Sequence, residues 1–214
     1  MNLTEELRKA SKGFKEKAPQ EVKNEMLKAH EEIVAKKIGN ESIAVNDIFP
    51  DFELSNQTNK KITLTQLLKE KKFLIISFYR GGWCPYCNLE LRALQEKKSE
   101  FDSLGAGLVA ITPEKPDQSL STSEKNNLSF EVLSDDQSEL AQKIGISFEL
   151  PENLKPIYEK FGIDIPKHNG ENNFTLPIPA TFLVGTDKKI LYAFKELDYT
   201  LRLDLEEIIK KISN

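Results

Sequence analysis

Over the first forty positions the apolar residues recur at helical intervals. Val22, Met26, Ala29 and Ile33 stand four, three and four residues apart, which places them on one face of a helix. The pattern runs from Thr4 to about Ile38. Pro19 suits the first turn of a second helical segment, while Gly39 and Asn40 tolerate the left-handed conformation that closes a helix. A boundary near residue 40 follows, with residues 1–40 as a helical extension and residues 41–214 as the domain proper.

Beyond that boundary the pattern changes. The run Phe73 to Tyr79 is too continuously apolar for a half-exposed strand and reads as a central, parallel one. Arg80-Gly81-Gly82-Trp83-Cys84-Pro85-Tyr86-Cys87 follows directly. Then Cys87, Leu91, Leu94 and Phe101, spaced by four, three and seven, predict a helix to about Ser103. Leu108 to Ile111 reads as the next strand, Ser119 to Asn127 as a polar helix and Phe130 to Leu133 as another strand. Ser134 and Gln137 fit a capping box opening a helix that Ala141 and Ile144 pack and Gly145 ends. Residues 147–175 are the least regular part and read as an insertion, with a short helix from Glu152 to Phe161.

The chain closes with two strands, Pro179 to Val184 and Ile190 to Phe194, which flank the hairpin connection Gly185 to Lys189, and with a helix from about Leu201 to Ile212. Parallel βαβ units followed by a hairpin and a helix predict an α/β fold: a mixed central sheet with helices on both faces, three layers in all.

Composition narrows the functions. A net charge of −4, from 30 Lys and Arg against 34 Asp and Glu, argues against a nucleic-acid or anionic-membrane surface, which needs clustered cations to neutralise phosphate. The first residues hold no apolar signal-peptide core, and no apolar run approaches the roughly 20 residues of a spanning helix. The expectation is a cytoplasmic chain with no membrane partner. Gly105-Ala106-Gly107-Leu108-Val109-Ala110 matches a dinucleotide pattern but precedes a strand instead of opening a helix, so it reads as a turn.

The two cysteines, Cys84 and Cys87, carry the candidate chemistry. Three apart, they share a helix face, and their sulfurs can meet in a disulfide with modest adjustment. The loop they would close is too small to staple the fold, so they serve reactivity or metal. Zinc needs about four ligands, and the chain adds only His30 and His168, remote in sequence; no metal is expected. Cys84 at a helix N-terminus faces free N–H groups that favour its thiolate. Cys87, one turn further in, should be the less exposed and better placed to resolve a mixed disulfide.

The segment Phe78-Tyr79-Arg80-Gly81-Gly82-Trp83-Cys84-Pro85-Tyr86-Cys87-Asn88-Leu89-Glu90-Leu91 resembles the motif of peroxiredoxin-like proteins of the alkyl hydroperoxide reductase and thiol-specific antioxidant superfamily. Ala44 to Leu54, Leu108 to Pro113 and Phe130 to Asp135 resemble further segments of that domain, so the likeness covers roughly residues 43–210. It implies a thioredoxin-like fold, a Cys84/Cys87 redox disulfide, hydroperoxide or disulfide as substrate, a thioredoxin-type reductant and no bound cofactor. Pro179 resembles the cis proline that lies against the Cys84 side and holds an extended substrate, and Arg80, Trp83, Pro85, Tyr86 and Thr181 are the further candidates for shaping the site.

Two signature residues depart from the family. Its Pro-x-x-x-Thr/Ser-x-x-Cys motif, aligned with the attacking cysteine on Cys87, puts Arg80 at the proline and Cys84 at the threonine. The family's arginine beside the last core strands falls on Ala180 or a neighbour. Helix-dipole reasoning thus favours attack by Cys84, the expectation adopted here, whereas the alignment favours Cys87. Three readings stay open: a dithiol peroxidase, a thioredoxin-like disulfide reductase without peroxidase activity, and a non-enzymatic redox-sensing module. The amphipathic extension needs somewhere to bury its face, and a homodimer is one solution.

Overall fold

A computed structural model describes residues 1–213. The extension forms α1 (Leu3–Lys17) and α2 (Gln20–Ala35), broken at Ala18 and Pro19, and Gly39 closes it at a φ of +84°. The domain follows as β1 (Glu53–Asn56), β2 (Lys61–Thr63), α3 (Leu64–Leu68), β3 (Phe73–Phe78), α4 (Pro85–Ser103), β4 (Ala106–Thr112), α5 (Pro116–Lys125), β5 (Glu131–Ser134) and α6 (Glu139–Lys143). Then come β6 (Ser147–Glu149), α7 (Lys155–Lys160), α8 (Ile165–Asn169), β7 (Thr175–Pro177), β8 (Ala180–Gly185), β9 (Ile190–Lys195) and α9 (Leu205–Ser213).

Seven strands form one sheet in the order β2-β1-β5-β4-β3-β8-β9. β3 and β5 run parallel to β4, β8 runs antiparallel to β3, and β9 runs antiparallel to β8. This is the mixed sheet expected, and β3 lies in its interior, between β4 and β8, with both faces covered. Leu74, Ile76 and Phe78 point into one core with Ala180, Phe182 and Val184 of β8. Ile75 and Tyr79 point into the other with Leu183. α4, α1 and α9 cover the second core through Leu91 and Leu94, Leu3 and Leu7, and Ile208. α2, α3, α6 and α7 cover the first through Ala29, Leu64, Ala141 and Ile157. The result is a thioredoxin-like α/β/α arrangement. The extension straddles it, one helix on each face, with Leu3 and Leu7 of α1 and Ala29 and Ile33 of α2 buried against the domain.

Four sequence expectations need correction. The hairpin of β1 and β2, with α3 opened by a Thr63–Gln66 capping box, was not anticipated; its strands of four and three residues are too short to show a period. The cap of α6 is Asp135, whose carboxylate accepts from Leu140 N and Ala141 N at 2.9 Å each, not Ser134 with Gln137, which has a φ of 52°. α9 starts at Leu205 rather than Leu201, because Asp204 accepts from Glu206 N and Glu207 N. Finally, the bond before Pro179 is trans, as are all described peptide bonds. The chain leaves β7 through Ile178, whose N donates to Ile146 O, and bends at Pro179 into β8 with the ordinary trans bond.

The Asp135 carboxyl is almost wholly buried, and desolvation pushes its pKa to about 6 despite the two N–H donors. A carboxyl raised in the folded state stabilises most below its unfolded value and loses that contribution as pH rises through the folded one. Relative to Asp135→Asn, the wild-type protein should therefore lose stability between about pH 4 and about pH 6 and change little above. Denaturant titrations of both proteins across that window would show it; a pH-independent difference would mean that the carboxyl titrates normally.

Candidate active site

Cys84 is the N-cap of α4, with extended φ and ψ of −84° and 116°, and Pro85 takes the first helical position. A proline there loses no hydrogen bond and presets the helical φ, so the helix begins immediately after the first sulfur. Cys87 sits one turn in. Both cysteines are free, and both are fully buried at 0 % exposure. The expected difference in exposure between them does not exist: Trp83, Tyr86, Tyr158 and Tyr199 roof the site. Trp83 packs edge-on to Tyr158 with centroids 5.5 Å apart, and Tyr86 packs edge-on to Tyr199 at the same separation.

Each sulfur meets a guanidinium. Arg80 Nη2 lies 3.2 Å from Cys84 Sγ, and Arg202 Nη2 lies 3.2 Å from Cys87 Sγ. Arg80 is held between the rings of Tyr199 and Trp83, 4.6 and 5.4 Å from their centroids, and its Nη1 donates to Tyr158 Oη at 3.3 Å. Arg202 is fixed by the buried carboxylate of Glu90, which receives its Nε–H, and by the carbonyls of Tyr199 and Leu201. Those two carbonyl bonds stabilise the non-helical stretch before α9 that turns Arg202 inward.

Burial alone would raise the Cys84 thiol, but a hydrogen bond from Cys87 and the charges of Arg80 and Arg202 bring it well below the usual range. Cys87 moves the opposite way: burial raises it, and donation to the Cys84 sulfur and repulsion by the Cys84 thiolate raise it further. Glu90 is also raised by burial, with Arg202 working against the shift. The two shifts run in opposite directions, so this pocket favours ionisation of Cys84 before Cys87.

The loop carrying Cys84 is held at the Gly82 peptide. Gly82 N donates to Glu114 Oε2 at 2.9 Å, and Asn88 Nδ2 donates to Gly82 O at 2.7 Å. Glu114, 1 % exposed, pairs its other oxygen with His168 Nδ1 at 2.9 Å. Asn126 Nδ2 fixes the Asn88 side chain. A Cβ on Gly82 would lie 1.9 Å from Thr122 Oγ1 and one on Gly81 would lie 2.2 Å from Trp83 Nε1, so the double glycine lets the loop pass these groups.

The remaining expected residues take different places. Pro179 is buried beside Arg80, Tyr158 and Tyr199, next to α2, and presents no open cis-proline surface to an extended substrate. Thr181 pairs with Ser77 across β8 and β3 on the face α4 covers, and its Oγ1 has no partner. The family arginine assigned to Ala180 is not there, since Ala180 faces the opposite core; Arg202 supplies the guanidinium instead. His30 and His168 are not brought together, and no described cluster of three or more His, Cys, Asp or Glu could hold a metal ion. Sequence reasoning missed Arg202, Glu90, Glu114, Tyr158 and Tyr199. A buried acid on the apolar face of α4 was visible in the spacing from Cys87; the others lie in loops or the irregular segment, with no period to expose them.

This geometry can be set beside known proteins. The profile of the AhpC/TSA family matches residues 45–193. The chain belongs to the AhpC/TSA family. Within it, the chain is similar to a putative peroxiredoxin bcp of Haemophilus influenzae, 32 % identical over 104 residues, covering 49 % of this chain and 66 % of that protein. It is similar also to peroxiredoxin Bcp of Escherichia coli, at 25 % identity over 104 residues, covering 49 % and 65 %. In both, the match spans just under two thirds of the curated relative's length. Among solved structures, peroxidoxin BcpB of Mycobacterium tuberculosis superposes with a TM-score of 0.63 at 20 % identity, over 80 % of this chain and 97 % of that one, a likeness of fold. The family match spans the cysteine loop, Glu114 and His168 but stops short of Tyr199 and Arg202 and begins after the extension.

If Arg80 holds Cys84 ionised, Arg80→Gln should move the thiolate titration of Cys84, followed by ultraviolet absorbance in a Cys87→Ser background, upward by about one pH unit or more. An unmoved titration would assign the ionisation to the helix terminus alone.

Proposed function

We propose that the protein is a thiol-dependent peroxidase of the cytoplasm, in which Cys84 attacks a hydroperoxide and Cys87 resolves the product. The observation that carries this reading is a fully buried Cys84 with a guanidinium 3.2 Å from its sulfur. A small oxidant can reach a sulfur buried this deeply by diffusion, and the guanidinium stabilises the thiolate that attacks it. Family membership supports the same class of chemistry.

The Cys84 thiolate attacks one peroxide oxygen. The O–O bond breaks, an S–O bond forms, and the second oxygen leaves as hydroxide or alkoxide, which takes up a proton. Cys84 is then a sulfenic acid. The Arg80 cation faces the anion that attacks and remains beside the charge as it passes to the leaving oxygen, a pre-organised electrostatic contribution enlarged by the dry site. Cys87, one helical turn from Cys84, next attacks that sulfur, and water leaves with the Cys87 proton. Arg202 faces the Cys87 sulfur as it becomes anionic. A thioredoxin-type dithiol then reduces the disulfide, becoming oxidised itself and returning two protons and two electrons.

Anaerobic reduction followed by rapid mixing with hydrogen peroxide tests the assignment through Trp83 fluorescence, free-thiol count and mass. Wild-type protein should lose two thiols to an intrachain disulfide. Cys87→Ser should stop at a sulfenic acid on Cys84, and Cys84→Ser should be nearly inert. Rapid oxidation of Cys84→Ser at Cys87 would reverse the roles, and an inert wild-type protein that reduces insulin disulfides would replace the peroxidase reading by the reductase one.

A further inference from the structure

Between α2 and the roof of the dithiol lies one cavity of about 30 Å³. Met26, His30 and Ile33 of the extension form its outer wall, and Tyr158, Pro179 and Arg80 line it from the domain. Arg80 joins this space to the chemistry, since the guanidinium that borders the cavity also donates to Cys84. Its Nε is buried with no hydrogen-bond partner, on a side chain that lines this space. A buried donor left unpaired is costly, so a guest with an acceptor oxygen gains a hydrogen bond that the empty site lacks.

We propose that α2 is a size filter, and that its Met26 wall restricts the oxidant to hydrogen peroxide over bulky organic hydroperoxides. The inference rests on the peroxidase reading above and adds the substrate class. About 10–15 Å³ suffices for one water, whose share of the liquid is about 30 Å³, so this cavity admits a molecule of two oxygens and excludes an aryl or long alkyl hydroperoxide. The wall is anchored. Ala29 and Ile33 are buried in the core, and Asn153 Nδ2 donates to both Glu25 O and Glu25 Oε2 at 2.9 Å. Tyr199 Oη also reaches Met26 Sδ at 3.8 Å, tying the wall to the ring that covers Arg80. Met26 itself is only partly buried, so its side chain sets the width of the wall without being a keystone of the core.

The experiment compares second-order rates of thiol loss with hydrogen peroxide and with cumene hydroperoxide, and in parallel alkylation by iodoacetamide and by pyrene maleimide. Wild-type protein should prefer hydrogen peroxide by about tenfold or more, and Met26→Ala should narrow that preference at least about fivefold, the scale on which a few methylenes discriminate. Met26→Phe, which narrows the space, should widen it. Equal wild-type rates with both hydroperoxides, or a preference unmoved by either substitution, would overturn the filter. A protein inert to both hydroperoxides in which Met26→Ala still raises the pyrene maleimide to iodoacetamide ratio would keep the filter and remove the peroxidase reading. An unmoved alkylation ratio in such a protein would remove both.

Discussion

A thiolate without water depends on a nearby cation, and the active-site architecture follows from that constraint. Cys84 and Cys87 are wholly excluded from solvent, and moving an isolated anion into such a place is prohibitive unless a partner meets it. Arg80 is that partner, and a buried guanidinium in turn needs its own surroundings. Tyr199 and Trp83 supply ring faces, and Tyr158 supplies an acceptor. Each of these aromatic residues is then committed to a position, so the insertion that bears Tyr158 and the loop that bears Tyr199 are structural parts of the site.

The central architecture was legible because it is written in periods. A continuous apolar run gave β3 with both faces buried, spacings of four and three gave α4, and a glycine-bounded polar turn gave the hairpin of β8 and β9. The cysteines were legible because two residues of rare chemistry stand one turn apart. What stayed hidden has no period. Arg202 lies in a stretch the apolar pattern assigned to α9, kept non-helical by the Asp204 cap, the turn bonds to Asp198 and the bonds from the Arg202 guanidinium to the Tyr199 and Leu201 carbonyls. His168 lies 54 residues from the Glu114 it pairs with, and no local rule connects them. Pro179 shows the limit of resemblance: the position matched, but it is a trans residue at the bend between β7 and β8, buried beside α2.

The segments that looked peripheral are where this chain departs from a bare domain. The extension places α1 on one face of the sheet and α2 on the other, and the insertion folds back through the β6 and β7 pair, with Phe148 and Leu150 buried in the core. Both converge on Arg80. The family profile begins after the extension and ends before Arg202, so the elements that seal the dithiol are drawn partly from outside the shared domain. A sealed site strengthens every charge interaction inside it and limits what enters.

The asymmetry between the sulfurs also has its origin in those neighbours. Each cysteine has one guanidinium at 3.2 Å, so a count of cations does not separate them. What separates them is what else each cation faces. Arg202 is ion-paired to Glu90, and much of its field is spent within that pair. Among the described residues, Arg80 makes no carboxylate pair; its partners are a phenol, two ring faces and the Cys84 sulfur. Cys84 also stands at the N-terminus of a 19-residue helix, where the macrodipole adds positive potential. The departures that put Arg80 at the family's proline and Cys84 at its threonine therefore belong together. A cation and an acid four residues apart stand where the motif has a proline and a hydroxyl, and the cation favours the anion on the first cysteine of the pair.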